Sequence, residues 1–276
     1  MNCGAIFTIA RQESRINIRN RWTLLFAGVF GLLALAISYF GLVTEGYAGF
    51  QGFERTTASL LSLVLYLVPL VALTMAALSL TGDHGAVELL FSQPVARREI
   101  LLGKVLGLCG SMLTAMLFGF GVAGTVIASQ VGTEGLLRFL SFTGIALLLA
   151  LAFLSLGSLL ATVGGTRARA FGLALFVWFF LVLFYDLLVM GAGFVLKERA
   201  ANMLIFLSLF GNPVDAARVA GLISAGDATI FGAAGAALIK FLGGRILSEA
   251  ALLAVLFAWA AGPLALAGRI IRQRDL

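Results

Sequence analysis

An all-α bundle that crosses a membrane six times is the fold class this sequence predicts, and three observations predict it. Hydrophobic residues make up 61% of the 276-residue chain and charged residues 12%, with a mean hydropathy of +1.06. A water-soluble fold would lack the polar residues needed to cover its surface. The apolar residues also come in long blocks. Those at 22–43, 101–130, 139–163 and 171–196 reach or exceed the roughly 18–20 residues that carry a helix across a bilayer, and 58–80 and 248–268 complete six. Finally, Lys and Arg are distributed unevenly about those blocks. Twelve fall on the side that holds both termini and seven on the other, which places the termini in the cytoplasm.

The amino-terminal stretch, residues 5–21, sets Ile6, Phe7, Ile9 and Ile16 against Arg11, Glu13, Arg15 and Arg19. This pattern suits an elbow helix lying in the membrane interface, its arginines snorkelling to headgroups. The first apolar run is too long for a signal-peptide core and is followed by no small-residue cleavage site, so it reads as a retained span. A short outer loop, 44–57, carries the interfacial aromatics Tyr47, Phe50 and Phe53. The second span contains Pro69, which kinks a helix unless neighbours satisfy the carbonyl it frees.

Between spans two and three lies a polar break, Gly82 to Lys104, GDHGAVELLFSQPVARREILLGK. Gly82, Asp83 and Gly85 cap a short helix, Pro94 ends it, and Arg97, Arg98 and Glu99 open the next element. That helix also carries Leu89, and within it Val87, Leu90 and Phe91 share one face and Glu88 and Ser92 another. The result is a small inward-facing knob suited to a groove in a partner. His84, the one histidine, stands in this knob and reads as a solvated or interface residue.

The third span is rich in glycine, with Gly103, Gly107 and Gly110 near its inner end, a spacing that lets helix backbones approach closely. Spans four and five are joined by a tight inner turn, residues 164–169, whose Arg167 and Arg169 suit lipid headgroups or, alternatively, the partner that meets the 82–104 break. In the outer half of span five, Tyr185 and Asp186 read as a polar point on a substrate route or outer gate, or as a structural hydrogen bond at the outer mouth. The segment 197–247 is the one sizeable extramembrane stretch. Its 202–210 run is too short to cross, and Asn212, Pro213 and Asp215 supply an N-cap, an N1 proline and an acidic N3 to a helix running through Ile223. A second amphipathic helix is predicted over 229–242. These are outer helices lying over the bundle.

Several chemistries are absent from the sequence. No G-x-x-x-x-G-K-[ST] loop occurs to cradle ATP, and no G-x-S-x-G elbow occurs with a histidine in the membrane to serve it, so the chain reads as non-catalytic. Two cysteines, Cys3 and Cys109, offer no disulfide framework. Cys109, Met112 and Met116 share a helix face and are of the soft-donor kind that selects Cu(I), yet methionine at helical spacing is the ordinary material of packing. No metal site is assigned. The net charge of +6 matches anionic lipid rather than nucleic acid.

Glu88-Leu-Leu, Pro94, Arg97 or Arg98, Ile100 and Gly103-Lys104 resemble the E-x-L-x-x-x-P-x-x-R-x-x-I-x-x-G-K pattern between the second and third spans of ABC type-2 permeases. Within that family the chain is most similar to the membrane subunits of transporters that serve copper-centre maturation of nitrous oxide reductase. That likeness is carried by Tyr185-Asp186, by Asn212-Pro213-x-Asp215 and by a length without large insertions. The resemblance implies a single permease domain over residues 1–276 in the bacterial inner membrane, acting as a homodimer. It implies two copies of a separate ATPase chain, which binds ATP and Mg, and no cofactor in this chain. The loop at 83–99 becomes the coupling helix, with Val87, Glu88, Leu89, Leu90, Phe91 and Pro94 at its centre and Arg97, Arg98 and Glu99 beside the ATPase. Asn212, Pro213 and Asp215 become contacts for a periplasmic protein. Two other readings are an efflux permease for a drug, lipid or haem-related compound, and a secondary transporter. The second would show internal repeats and ionisable groups at broken midplane helices, and no such repeat is evident.

Overall fold

The computed structural model describes residues 3–41, 50–81, 96–225, 238 and 244–273, all of whose regular structure is helical. In chain order the helices are α1 (Cys3–Ile18), α2 (Arg21–Tyr39), α3 (Phe50–Leu80), α4 (Arg97–Gly164), α5 (Arg167–Phe179), α6 (Tyr185–Val195), α7 (Glu198–Gly211), α8 (Pro213–Ala225) and α9 (Arg245–Gln273). A π-helical turn, Phe180–Phe184, joins α5 to α6 without a break. Six helical stretches are long and apolar enough to cross a membrane: Arg21–Tyr39, Arg55–Leu80, Arg97–Ser129, Gly135–Gly164, Arg167–Val195 and Arg245–Gln273. The expected knob at 83–93 and the helix expected at 229–242 lie outside the described residues, apart from Leu238.

The 68 residues of α4 would run about 100 Å if straight. Phe120 and Phe139 would then stand about 28 Å apart along the axis, yet their rings lie 5.9 Å apart, centroid to centroid. The helix therefore doubles back, giving an outgoing arm, Arg97–Ser129, and a returning arm, Gly135–Gly164. Phe120 also meets Phe142 at 5.7 Å and Phe30 of α2 at 5.1 Å, all edge to face. This aromatic cluster fixes the hairpin at the end of the bundle opposite the chain termini, called the outer end below.

Around this hairpin the other helices pack, with α1 and α2 against the outgoing arm and α3, α8 and α9 completing the core. Glycine sets the closest approaches. A Cβ on Gly119 would fall 2.5 Å from the Phe30 ring, and one on Gly157 would fall 2.8 Å from Ala76 and 3.0 Å from the Leu73 carbonyl. The returning arm is the most enclosed span, at 72% buried, whereas Arg167–Val195 is 17% and Arg245–Gln273 22% buried. Spans five and six are thus peripheral and turn most of their apolar surface outward.

Two boundaries differ from the sequence reading. Residues 50–57, expected in an outer loop, begin α3, because the stretch has no proline and its single glycine, Gly52, weakens a helix without ending it. The inner turn is shorter than expected: Gly165 takes φ +69° and closes α4, so Arg167 and Arg169 already belong to the first turn of α5 and are exposed there.

Candidate functional site

At the outer end, polar groups from three helices converge although the sequence scatters them over more than thirty positions. The π-helical turn widens span five by one residue per ring, and the Leu181 carbonyl within it accepts a hydrogen bond from Asn212 Nδ2 at 2.9 Å. Asn212 sits at the junction of α7 and α8, which meet at 104°. Its Oδ1 accepts from the Val214 amide at 3.0 Å, the N-cap role expected of it, and its Nδ2 also reaches Asp215 Oδ2 at 3.2 Å. One side chain therefore caps α8 and satisfies a carbonyl of span five.

One turn further along α8, Arg218 Nη1 donates to Asp215 Oδ1 at 2.9 Å and to Asp186 Oδ2 at 2.7 Å. Tyr185 donates its hydroxyl to the Ser208 carbonyl of α7 at 3.1 Å. Two indoles complete the lattice: Trp178 Nε1 donates to the Tyr66 carbonyl at 3.1 Å and Trp259 Nε1 to the Phe210 carbonyl at 3.3 Å. The Arg218 and Asp186 side chains are 33% and 34% exposed and that of Asp215 only 10%. One guanidinium holds both carboxyl groups, burial raises the pKa of Asp215 above the usual carboxylate range, and the outward-facing member of the cluster is Asp186.

Asn212, Pro213 and Asp215, expected at a partner-facing surface, are all buried within the chain, Asn212 completely. What they touch is span five and the start of α8. Sequence reasoning named Tyr185 and Asp186 separately from Asn212 and Asp215 and missed Arg218, which joins them. The i, i+3 spacing of Asp215 and Arg218 was the available signal.

At the inner end, the three glycines of the outgoing arm receive α1. A Cβ on Gly103 would fall 2.7 Å from Ile9 Cβ, and one on Gly107 would fall 2.5 Å from Glu13 Cβ and 2.6 Å from the Ala10 carbonyl. The elbow helix is therefore the partner of this small-residue stripe, where the sequence pattern suggested only close packing. From that position Glu13 Oε1 accepts from Asn17 Nδ2 at 2.9 Å and from the hydroxyl of Ser79 at the end of α3. Lys104 Nζ donates to the Ser79 carbonyl at 3.1 Å. Glu13, Ser79 and Lys104 thus tie α1 to both helices that flank the 82–95 stretch. Val87, Glu88, Leu89, Leu90, Phe91 and Pro94 lie outside the described residues. Arg97, Arg98 and Glu99 form the first turn of α4. Glu99 is buried there, and exposed Arg98 donates from Nε to the Gly268 carbonyl of α9 at 3.3 Å.

Met112 and Met116 are fully buried in the apolar core, with Cys109 packed at its edge. Among the described residues no cluster of three or more His, Cys, Asp and Glu could hold a metal ion.

Comparison with known proteins gives this architecture a family. Residues 7–276 match the family described as ABC-2 family transporter protein. The chain is 35% identical over 277 residues to a protein of Pseudomonas aeruginosa, covering 98% of this chain and 99% of that one, and the relative is named a probable ABC transporter permease protein NosY. It is 36% identical over 279 residues to a protein of the same name from Stutzerimonas stutzeri, with 98% of each covered. With a match over nearly the whole length, on a chain with six helices long and apolar enough to cross a membrane, the chain belongs to the ABC-2 family of transporter permeases.

Proposed function

We propose that this chain is the membrane subunit of an ATP-driven transporter that serves copper-site assembly of nitrous oxide reductase. It would work as a homodimer, with two copies of a separate ATPase chain and a periplasmic protein on its outer side. The observation that carries this reading is the 35–36% identity to two proteins named NosY, sustained over 98% of the chain. In this reading both termini are cytoplasmic and the ATPase, holding ATP and Mg, seats the 83–99 loop. Both ends of that loop are anchored: Ser79 and Lys104 are linked to each other and, through Glu13, to α1. Movement imposed on the loop therefore reaches α3 and α4 together instead of being absorbed at one hinge. At the outer end, the half-exposed Asp186–Arg218 pair offers cargo or a partner a polar contact while staying closed, and Asn212, Pro213 and Asp215 hold the helices that present it.

Glu88→Arg in the assembled complex tests the coupling assignment. The variant is expected to insert into the membrane normally while the transporter loses its partner-stimulated ATP hydrolysis. An unaltered hydrolysis rate would sink the role given to 83–99. The copper assignment has its own test, in which a strain lacking the gene is complemented with this chain and the copper content of its nitrous oxide reductase is measured.

A further inference from the structure

An apolar groove of about 320 Å³ opens near the end of the bundle that carries the chain termini, walled by α1, both arms of α4 and α9. Ile6, Leu102, Leu151, Ala260 and Leu264 line it, together with Ser155. Its size is at the lower end of the roughly 300–1,000 Å³ of small-molecule sites, enough for a length of acyl chain. An apolar groove in a bilayer gains little from apolar contact alone, because lipid tails are its solvent. Selectivity has to come from polar groups at the groove's terminal end. Both long walls run to an arginine there. On α4 the lining residue Leu102 lies one turn from Arg98, and on α9 the series Ala260, Leu264, Gly268 continues at the same spacing to Arg272. The two series meet where Arg98 Nε donates to the Gly268 carbonyl, and both guanidinium groups are exposed.

We propose that this groove is a binding site for one anionic phospholipid, whose acyl chain lies between α1, α4 and α9, reaching the level of Ser155, and whose phosphate lies at the terminal end between Arg98 and Arg272. The site does not depend on the transport reading.

The test uses the full chain in phosphatidylcholine vesicles carrying a trace of phosphatidylglycerol or phosphatidylcholine with the same diazirine-bearing acyl chain. Photolabelling of groove peptides is normalised to labelling at Leu32 of α2, a lipid-facing position 67% exposed. Two arginines at about 1 kcal/mol each set a preference for phosphatidylglycerol of up to ~30-fold. Arg272→Gln is expected to cut it to about 5-fold, and Ala260→Trp to remove groove labelling while Leu32 is labelled as before. In the unaltered chain, equal labelling by the two probes overturns the anionic preference. Groove labelling no stronger than that at Leu32 overturns the site.

Discussion

Replacing Arg218 with methionine keeps the length and packing of the side chain and removes its charge, leaving Asp186 and Asp215 to face each other. The size of the effect follows from the two exposures. Asp215, 10% exposed, loses its main counter-charge and keeps one amide hydrogen bond, from Asn212 at 3.2 Å. Stranding a fully buried charge costs at most about 3–5 kcal/mol, and Asp215, whose pKa burial already raises above the usual carboxylate range, escapes part of that by taking up a proton. Asp186 is 34% exposed, and a pair at that depth contributes at most about 1 kcal/mol. Water access at Asp186 relieves some of the mutual repulsion, so a net loss of about 3 kcal/mol is expected. At roughly 2–4 °C per kcal/mol for a chain somewhat shorter than this one, the apparent Tm in detergent or nanodiscs should fall by about 6–12 °C. Adding Asp215→Asn removes the stranded charge while leaving Asn212 an oxygen to bond, and should recover about 2 kcal/mol, a coupling measurable by a double-mutant cycle. A drop below about 2 °C, or a second substitution that recovers nothing, would show that α8 is not held to span five through this guanidinium.

Asn212→Ala removes a helix cap and the partner of a buried carbonyl, and should cost about 2–4 kcal/mol in the same melting assay; Asn212→Asp keeps the cap but sets a buried carboxyl oxygen against the Leu181 carbonyl and Asp215, and should cost at least as much. Gly107→Leu places a side chain where a Cβ already meets Glu13 and the Ala10 carbonyl, so α1 should lift from the outgoing arm and limited trypsin should cleave at Arg11 or Arg15 faster, with the rest of the bundle intact. Met112→Leu and Met116→Leu conserve volume in a packed core, and each should cost under about 1.5 kcal/mol and leave copper loading of the reductase unchanged in the complementation assay. Loss of loading with normal membrane levels would put these methionines on a copper route.

Span positions were legible in the sequence because membrane crossing depends on a one-dimensional quantity, the length of an apolar run. The expected 101–130 and 139–163 agree closely with arms at Arg97–Ser129 and Gly135–Gly164. What a side chain touches depends on the third dimension. Gly103 and Gly107 announced a close approach without saying to what, since an interfacial helix and a membrane span accept the same small-residue stripe. The π-helical turn at Phe180–Phe184 has no signature in FLVLF itself. It persists because Asn212, thirty-one residues away, bonds the Leu181 carbonyl, and neither half of that pair predicts the other.

The outer network also constrains how motion can cross this bundle. To slide against span five, α7 and α8 would have to release Tyr185 from Ser208, Asn212 from Leu181 and Arg218 from Asp186 together. Asn212 is completely buried, with no water to take over its bonds. The cheaper motion keeps α8 and span five together, because span five, at 17% buried, is the least enclosed span and the bonds at Asn212 and Arg218 then stay made. Such a body pivots at the Gly164–Gly165 turn. A disulfide engineered between α8 and span five should therefore leave ATP-driven turnover intact, whereas one between α5 and the returning arm of α4 should stop it. The opposite result would mean that the lattice around Arg218 opens during the cycle and that Asp186 acts as a gate.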